Sequence, residues 1–191
     1  PAALMEERDV LILGSGPGVE RYRDALEEYV VSCAPLVMAL NTDSVLRDEL
    51  VDLRVASHPF RLLSNVEAHL KFQQPLMTPL SMLPKSVRDS LAGKEVFDFG
   101  LTVQPGVFEI SDCHCVLPTS LTVAYAIAAA ASGRANRIYL AGFDGYSNND
   151  PRNTEVDDLL AGFSDTGGVP EILAITPSRF SVRAVSVFSL S

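Results

Sequence analysis

A strand, a glycine-rich turn and the start of a helix follow one another in Asp9–Tyr22, and this unit constrains the fold more than any other stretch. Its apolar run Val10–Leu13 is typical of a strand covered on both faces of a parallel sheet. Gly14, Gly16 and Gly18 let the backbone turn sharply and let a ligand approach closely. The first N–H groups of the following helix point at the same turn, which favours an anion such as phosphate.

The turn reads G-S-G-P-G, which matches no nucleotide fingerprint fully. Val19 stands where the dinucleotide pattern G-x-G-x-x-G has its third glycine, and the G-K-[ST] of a Walker loop is absent from the turn. Two interpretations stay open. The turn, with Ser15 in it, binds a small phosphorylated ligand, or it is a tight strand-to-helix turn that needs glycine for structural reasons.

Apolar runs alternate with helical patterns along the chain, and this alternation predicts an α/β fold. We expect a Rossmann-like, doubly wound and mostly parallel sheet with helices on both faces. After the first strand, the predicted strands are Pro35–Leu40, Asp52–Ser57, Gln74–Thr78, Asn136–Leu140 and Glu171–Thr176, with a final edge strand over Val182–Leu190. Val96–Val103 and Gly106–Ile110 are predicted to be extended. The main predicted helices are Val19–Val31, Phe60–Phe72, Pro118–Ala131 and Glu155–Phe163.

Length and composition limit the class of protein. The chain has 191 residues, of which 47% are hydrophobic, so we expect one compact domain over residues 1–191. No apolar run is long enough for a membrane span, and no signal-peptide pattern opens the chain. Because the first residue is Pro1 and not Met, we expect a C-terminal fragment of a longer protein.

Charge and cysteine content exclude some partners. The net charge is −9, from 24 acidic and 15 basic residues, which argues against nucleic acid and anionic membranes as partners. Three cysteines in a chain of this size indicate a reducing, cytoplasmic location without disulfides. The motif Cys113–Cys115 has poor ligand spacing and no second cysteine pair, so we predict no metal site.

Polar residues follow several predicted strands at their carboxyl ends, where open α/β sheets bind ligands. Asn41 follows the second strand and His58 the third, while Asp144 and Tyr146 lie in the loop after Asn136–Leu140. Two of these residues have a structural alternative: Asn41 as a turn former and His58 as a surface residue.

Thr119 and Ser120 precede the alanine-rich helix, whose N-terminus offers a second anion-binding end. They are also good N-caps, and capping alone would explain them. Together with the glycine turn and Asn41, they make up the candidate ligand-binding residues. The full set is Gly14, Ser15, Gly16, Gly18, Asn41, Thr119 and Ser120.

These segments together resemble the bacterial lipooligosaccharide sialyltransferases, which open with a strand and a G-N-G-P-S turn. The counterparts in this chain are Gly14–Gly18, Asn41, His58–Pro59, Thr119–Leu121 and Ile138–Tyr146. The resemblance extends from about residue 9 to residue 177. It implies a pocket for a CMP-sugar, with the phosphate and the sugar near the glycine turn and the Thr-Ser helix start.

The departures from that family bear on catalysis. Ser15 replaces the turn asparagine, and His58 replaces the asparagine before proline. In the family, a long lid after the D-F-Y motif carries the histidine proposed as general base, whereas no histidine follows His114 here. A glycosyltransfer base must reach the acceptor hydroxyl. The catalytic residues are therefore unassigned, with His58, Asp144 and Tyr146 as candidates.

A closer resemblance is to the C-terminal domain of bacterial pyruvate-type aldolase-like proteins, which are related to HMG-CoA lyase and 4-hydroxy-2-oxovalerate aldolase. The segments that carry it are Gly18–Tyr22, Leu40–Asn41 and Ile175–Phe180. It implies an N-terminal aldolase barrel in the same polypeptide, whose metal ligands and substrate arginine are not in this chain.

Three functions follow as alternatives. The first is an accessory domain that binds a cytidine nucleotide or a sugar nucleotide and serves an attached aldolase. The second is a CMP-sugar-dependent glycosyltransferase with a relocated base. The third is a catalytically inert structural or oligomerisation module, which would assemble as a homo-oligomer and in which the glycines only form turns.

Overall fold

A parallel sheet of eight strands forms the centre of the computed structural model, which describes residues 2–190. The strands in chain order are β1 (Val10–Leu13), β2 (Leu36–Leu40), β3 (Leu53–Val55), β4 (Leu76–Thr78), β5 (Val96–Asp98), β6 (Gly100–Val103), β7 (Glu109–Ile110), β8 (His114–Leu117), β9 (Arg137–Ala141), β10 (Glu171–Ala174) and β11 (Arg183–Ala184). The central sheet has the order β11-β10-β9-β1-β2-β3-β4-β5. The order runs outward in both directions from β1 and β9, so the predicted doubly wound α/β fold is confirmed.

Helices cover both faces of this sheet. They are α1 (Ala2–Met5), α2 (Pro17–Arg21), α3 (Arg23–Cys33), α4 (Pro59–Ser64), α5 (Val66–Lys71), α6 (Lys85–Ser90), α7 (Thr122–Ser132) and α8 (Arg152–Asp165). Alternate residues of β1 point to opposite faces. Val10 and Ile12 share a core with α7 and α8, whereas Leu11 and Leu13 share one with α3. This double burial explains why β1 is apolar at every position.

Two long predicted helices are each divided in two. The predicted helix Val19–Val31 is α2 followed by α3, because Tyr22 has φ −109° and ψ 19° and leaves the helical conformation. Its ring packs edge-on against Phe188, with centroids 6.2 Å apart. The predicted helix Phe60–Phe72 is α4 followed by α5, with a similar break at Asn65. At Tyr22, tertiary packing thus overrides the local helical pattern.

The predicted edge strand within Val182–Leu190 is wrong in most of its length. Only Arg183 and Ala184 pair with β10, and a 3₁₀ turn follows at Val187–Ser189. Val187 is buried in the α3-side core, and a strand continuing along the open edge would have left it exposed.

A second sheet of three strands, in the order β6-β8-β7, occupies the region between residues 100 and 117. The sequence predicts extended chain there but not this pairing. Among residues 2–190, no helix is long and apolar enough to cross a membrane.

A buried arginine lies on the α5 side of β3. Arg54 is 1% exposed, donates to Asp48 Oδ1 at 2.7 Å, and stacks on the ring of Phe72 at 3.9 Å. Nearby, burial together with the charges of Lys94 and Arg54 lowers the pKa of His69 to about 4. We call Asp48, Arg54, His69 and Lys94 the inner charged cluster.

Candidate functional site

A cleft of about 440 Å³ opens where β1, β2, β3 and β9 end. This is the edge at which the sequence predicts ligand binding. Eight of the ten predicted site residues line the cleft: Gly14, Ser15, Gly16, Asn41, His58, Ser120, Asp144 and Tyr146. Gly18 and Thr119 do not line it. Their binding roles stay predictions, but the structure brings most of the set to one place.

The carboxylate of Asp144 lies against the glycine turn. Asp144 Oδ2 accepts a hydrogen bond from the backbone N–H of Gly18 at 3.1 Å. The space beside Gly16 is filled, because a Cβ there would lie 2.3 Å from Asp144 Oδ2 and 2.5 Å from the carbonyl oxygen of Gly142. Gly16 is therefore required for close contact within the protein itself. The position that the sequence suggests for a phosphate is next to a carboxylate of this chain.

The loop that carries Asp144 is fixed at its start by Gly142. Gly142 has φ +77°, in the left-handed region that favours glycine. Its N–H donates to Thr176 Oγ1 at 3.0 Å, and its carbonyl accepts from the N–H of Gly16 at 2.9 Å. The loop after β9 is thus tied to both neighbouring strands, which directs Asp144 toward the turn.

Asn41 provides a second acceptor in the cleft. It ends β2 in the left-handed region, with φ +58°, and its N–H donates to the carbonyl of Val55 at 2.8 Å. Asparagine tolerates this conformation better than most residues. Its Oδ1 is buried and has no hydrogen-bond partner among residues 2–190, so it is an unused acceptor on a residue that lines the cleft.

Basic side chains lie at the end of β3. His58 comes directly before α4, in which Pro59 occupies the first turn, and Arg61 follows one helical turn later. Both His58 and Arg61 line the cleft and are exposed. Within the described residues, Arg61 forms no ion pair. Sequence reasoning missed Arg61, although its spacing of three residues from His58 on a helix start placed it on the same side.

The N-terminus of α7 borders the cleft, but without the predicted caps. The helix begins at Thr122 after Leu121, and no side chain caps it. The hydroxyl of Thr119 donates instead to Glu155 Oε1 at 2.7 Å, so capping by Thr119 or Ser120 is wrong. Thr122 and Val123 line the cleft, and the first N–H groups of this 11-residue helix lack intrahelical acceptors.

Aromatic side chains complete the wall. Phe143 and Phe180 line the cleft together with Tyr146, which is 39% exposed. The guanidinium of Arg152 lies 4.0 Å from the centre of the Tyr146 ring, and Arg179 donates to the Tyr146 carbonyl at 2.7 Å. Sequence reasoning missed Phe143 and Phe180, since an aromatic residue in a loop after a strand does not by itself indicate a binding site.

The Cys113–Cys115 motif lies away from this cleft. Cys115 is buried in β8, and burial raises the pKa of its thiol to about 12. The ring Nε2 of His114 is 2.9 Å from Thr102 Oγ1. Among residues 2–190, no three His, Cys, Asp or Glu side chains are grouped so that they could hold a metal ion.

Comparison of this chain with protein-family models, curated proteins and solved structures finds no match. The resemblances to sialyltransferases and to aldolase-linked domains therefore stay predictions from the motifs.

Proposed function

We propose that this domain binds a nucleotide or a sugar nucleotide in the cleft at the carboxyl ends of the strands. One observation supports this most: the polar groups of the cleft are sorted by type along the sheet edge. The acceptors Asp144 and Asn41 follow β9 and β2, whereas His58 and Arg61 follow β3. A ligand with hydroxyls at one end and phosphate at the other complements this order.

The β3 end of the cleft suits the phosphate. Arg61 provides a guanidinium, which binds phosphate oxygens through charged and often bidentate hydrogen bonds. The α7 N-terminus adds backbone donors from Thr122 and Val123 and the positive end of the helix dipole. These groups act together only if the phosphate lies between α4 and α7.

The size and walls of the cleft fit the same ligand class. A volume of about 440 Å³ is within the usual range for small-molecule sites. Phe143 and Phe180 offer apolar surface for a base or a sugar face. A cytidine nucleotide is the first candidate, because the sialyltransferase resemblance implies a CMP-sugar.

Isothermal titration calorimetry with CMP, CTP and UDP-sugars tests the proposal. We expect at least one of them to bind, and Arg61→Ala to weaken the binding about tenfold, since one charged hydrogen bond is lost. Arg88→Ala is the matched control, because Arg88 is an exposed cation on α6 outside the cleft. No heat from any of these ligands would count against the proposal.

Glycosyl transfer is the second candidate, because His58 lies in the cleft and is exposed. It predicts hydrolysis of CMP-sialic acid by the wild type and loss of that activity in His58→Ala. An inert wild type rejects it. An inert structural or oligomerisation module predicts instead that Gly16→Val alters stability and no ligand affinity.

The attachment to an aldolase barrel is a proposal from the resemblance alone. It predicts an aldolase sequence directly upstream of Pro1 in the encoded polypeptide. Reading that upstream sequence tests it, and an unrelated sequence there rejects the attachment without affecting the proposed cleft.

A further inference from the structure

We infer that the glycine turn excludes phosphate and selects sugar hydroxyls through Asp144, which makes Asp144 a specificity-determining residue. This inference rests on the proposed nucleotide or sugar-nucleotide function and reverses the ligand orientation that a glycine-rich turn usually predicts. The phosphate then lies toward Arg61, and a vicinal pair of hydroxyls on the ribose or hexose lies at the turn.

The first argument is that the carboxylate of Asp144 already occupies the anion-binding position at the glycine turn. Asp144 Oδ2 accepts from the Gly18 N–H at 3.1 Å, and a Cβ on Gly18 would lie 2.8 Å and 2.9 Å from the two carboxylate oxygens. A ligand phosphate at the same turn would face this carboxylate at close range. Like charges repel strongly where the surroundings are poorly hydrated. The backbone donor that a phosphate needs there is also engaged.

The second argument is that acceptors remain unused at this end. Asp144 Oδ1 accepts no hydrogen bond from residues 2–190, and neither does the buried Asn41 Oδ1. A carboxylate and an amide oxygen require donor hydrogens from the ligand. Sugar hydroxyls supply them without charge, and a vicinal pair can bind both oxygens of one carboxylate.

The third argument is spacing. β1 lies between β9 and β2, so the ends that carry Asp144 and Asn41 are two strand spacings apart, which is about 10 Å. Both residues line the same cleft. A sugar unit lying over the end of β1 reaches from one acceptor to the other, and a phosphate attached to it continues toward β3.

The test compares CMP with 2′,3′-dideoxy-CMP, measured by calorimetry on the wild type and on Asp144→Asn. We expect the wild type to bind CMP about tenfold or more tightly than the dideoxy analogue, and Asp144→Asn to lose most of this preference, because the acceptor that remains at position 144 is uncharged. The amide retains an acceptor for the Gly18 N–H, so the turn is preserved. Asp158→Asn is the matched control, because it removes the same charge from an exposed position on α8 outside the cleft.

Pyrophosphate gives a second readout, which also covers Asp144→Ala if the asparagine variant folds poorly. We expect pyrophosphate to bind either Asp144 variant at least tenfold more tightly than it binds the wild type or Asp158→Asn. Equal pyrophosphate affinities, or a CMP preference that is undiminished in Asp144→Asn, overturn the inference while the proposed function stands. A wild type that binds neither CMP nor any other nucleotide overturns both.

Discussion

Two groups of charged residues are attached to the same strand, and they differ in how their charges are compensated. Arg54 lies within β3 and belongs to the inner charged cluster, where Asp48 pairs with it and Phe72 covers it. His58 and Arg61 follow the end of β3 and face the cleft without an ion pair among the described residues.

This difference in compensation distinguishes charges that stabilise the fold from charges that are available to a ligand. A buried charge is tolerated only where a partner and hydrogen bonds offset its lost hydration, so the inner charged cluster is tied to stability. Charges left open at a cleft contribute little to the folded state and are free for a ligand. The following changes test this comparison, in order of decreasing expected effect.

Asp48→Ala should have the largest effect on stability. It leaves the guanidinium of Arg54, 1% exposed, without its carboxylate partner. Leaving a buried charged donor without its acceptor costs about 3 kcal/mol in the free energy of unfolding, as measured by urea denaturation. Asp158→Ala is the control, since Asp158 is an exposed carboxylate on α8, away from Arg54. Arg54→Met combined with Asp48→Ala should recover most of the loss; if it recovers none, the ion pair is not the cause.

The buried His69 predicts a pH dependence of stability. Its folded-state pKa of about 4 is lower than the ordinary value of 6.5. Between pH 6.5 and pH 4, His69 is protonated in the unfolded chain but neutral in the native state. The free energy of unfolding therefore falls as the pH drops from 6.5 toward 4. The loss attributable to His69 is about 3 kcal/mol at the lower limit.

His69→Gln should flatten this part of the stability profile, measured by urea denaturation at several pH values. Identical slopes for His69→Gln and the wild type would contradict the assignment.

Gly16→Ala should destabilise the cleft wall by about 2 kcal/mol, because overpacking forces side chains and backbone to shift. The added Cβ would lie 2.5 Å from the rigid carbonyl oxygen of Gly142 as well as against Asp144. Gly167→Ala is the control, since nothing lies within 4 Å of a Cβ there. A thermal-unfolding midpoint equal to that of the wild type would show that the turn relaxes freely.

Arg61→Ala and His58→Ala should change the free energy of unfolding least, by no more than about 0.5 kcal/mol, because both side chains are exposed. Their effect should appear in ligand affinity instead. If either variant lost more than about 1 kcal/mol in the free energy of unfolding, measured by urea denaturation, that residue would have a structural role like that of Arg54. The difference between the two groups of residues would then be contradicted.

Much of the fold is predictable from the sequence, because a strand that is buried on both faces of the sheet is a continuous apolar run in the sequence. β1 is predicted at its exact bounds, and β2, β3, β9 and β10 lie within or beside their predicted runs. The small sheet and the break at Tyr22 depend on contacts distant in sequence, such as that between Tyr22 and Phe188, and local patterns do not encode them.

The candidate site is predictable in place but not in orientation. Strand ends locate Asn41, His58 and Asp144 at one edge, because parallel strands share a direction. The carboxylate of Asp144 accepts from the Gly18 N–H because of the path that the loop takes after Gly142. The spacing of residues in the sequence does not specify that path. Thr119 illustrates the converse, since a good capping residue binds Glu155 instead.

The pairing of β1 with β9 has a consequence for how the domain folds. Gly18 and Asp144 are 126 residues apart in the chain, whereas β1 reaches its other neighbour, β2, within a short segment. Closing the longer loop costs more entropy, and contacts of high sequence separation form late. The β1–β2 half of the sheet should therefore form first. Pulsed hydrogen exchange during refolding should show the Gly18 amide protected after the amides of β2, so the cleft is completed among the last parts of the molecule.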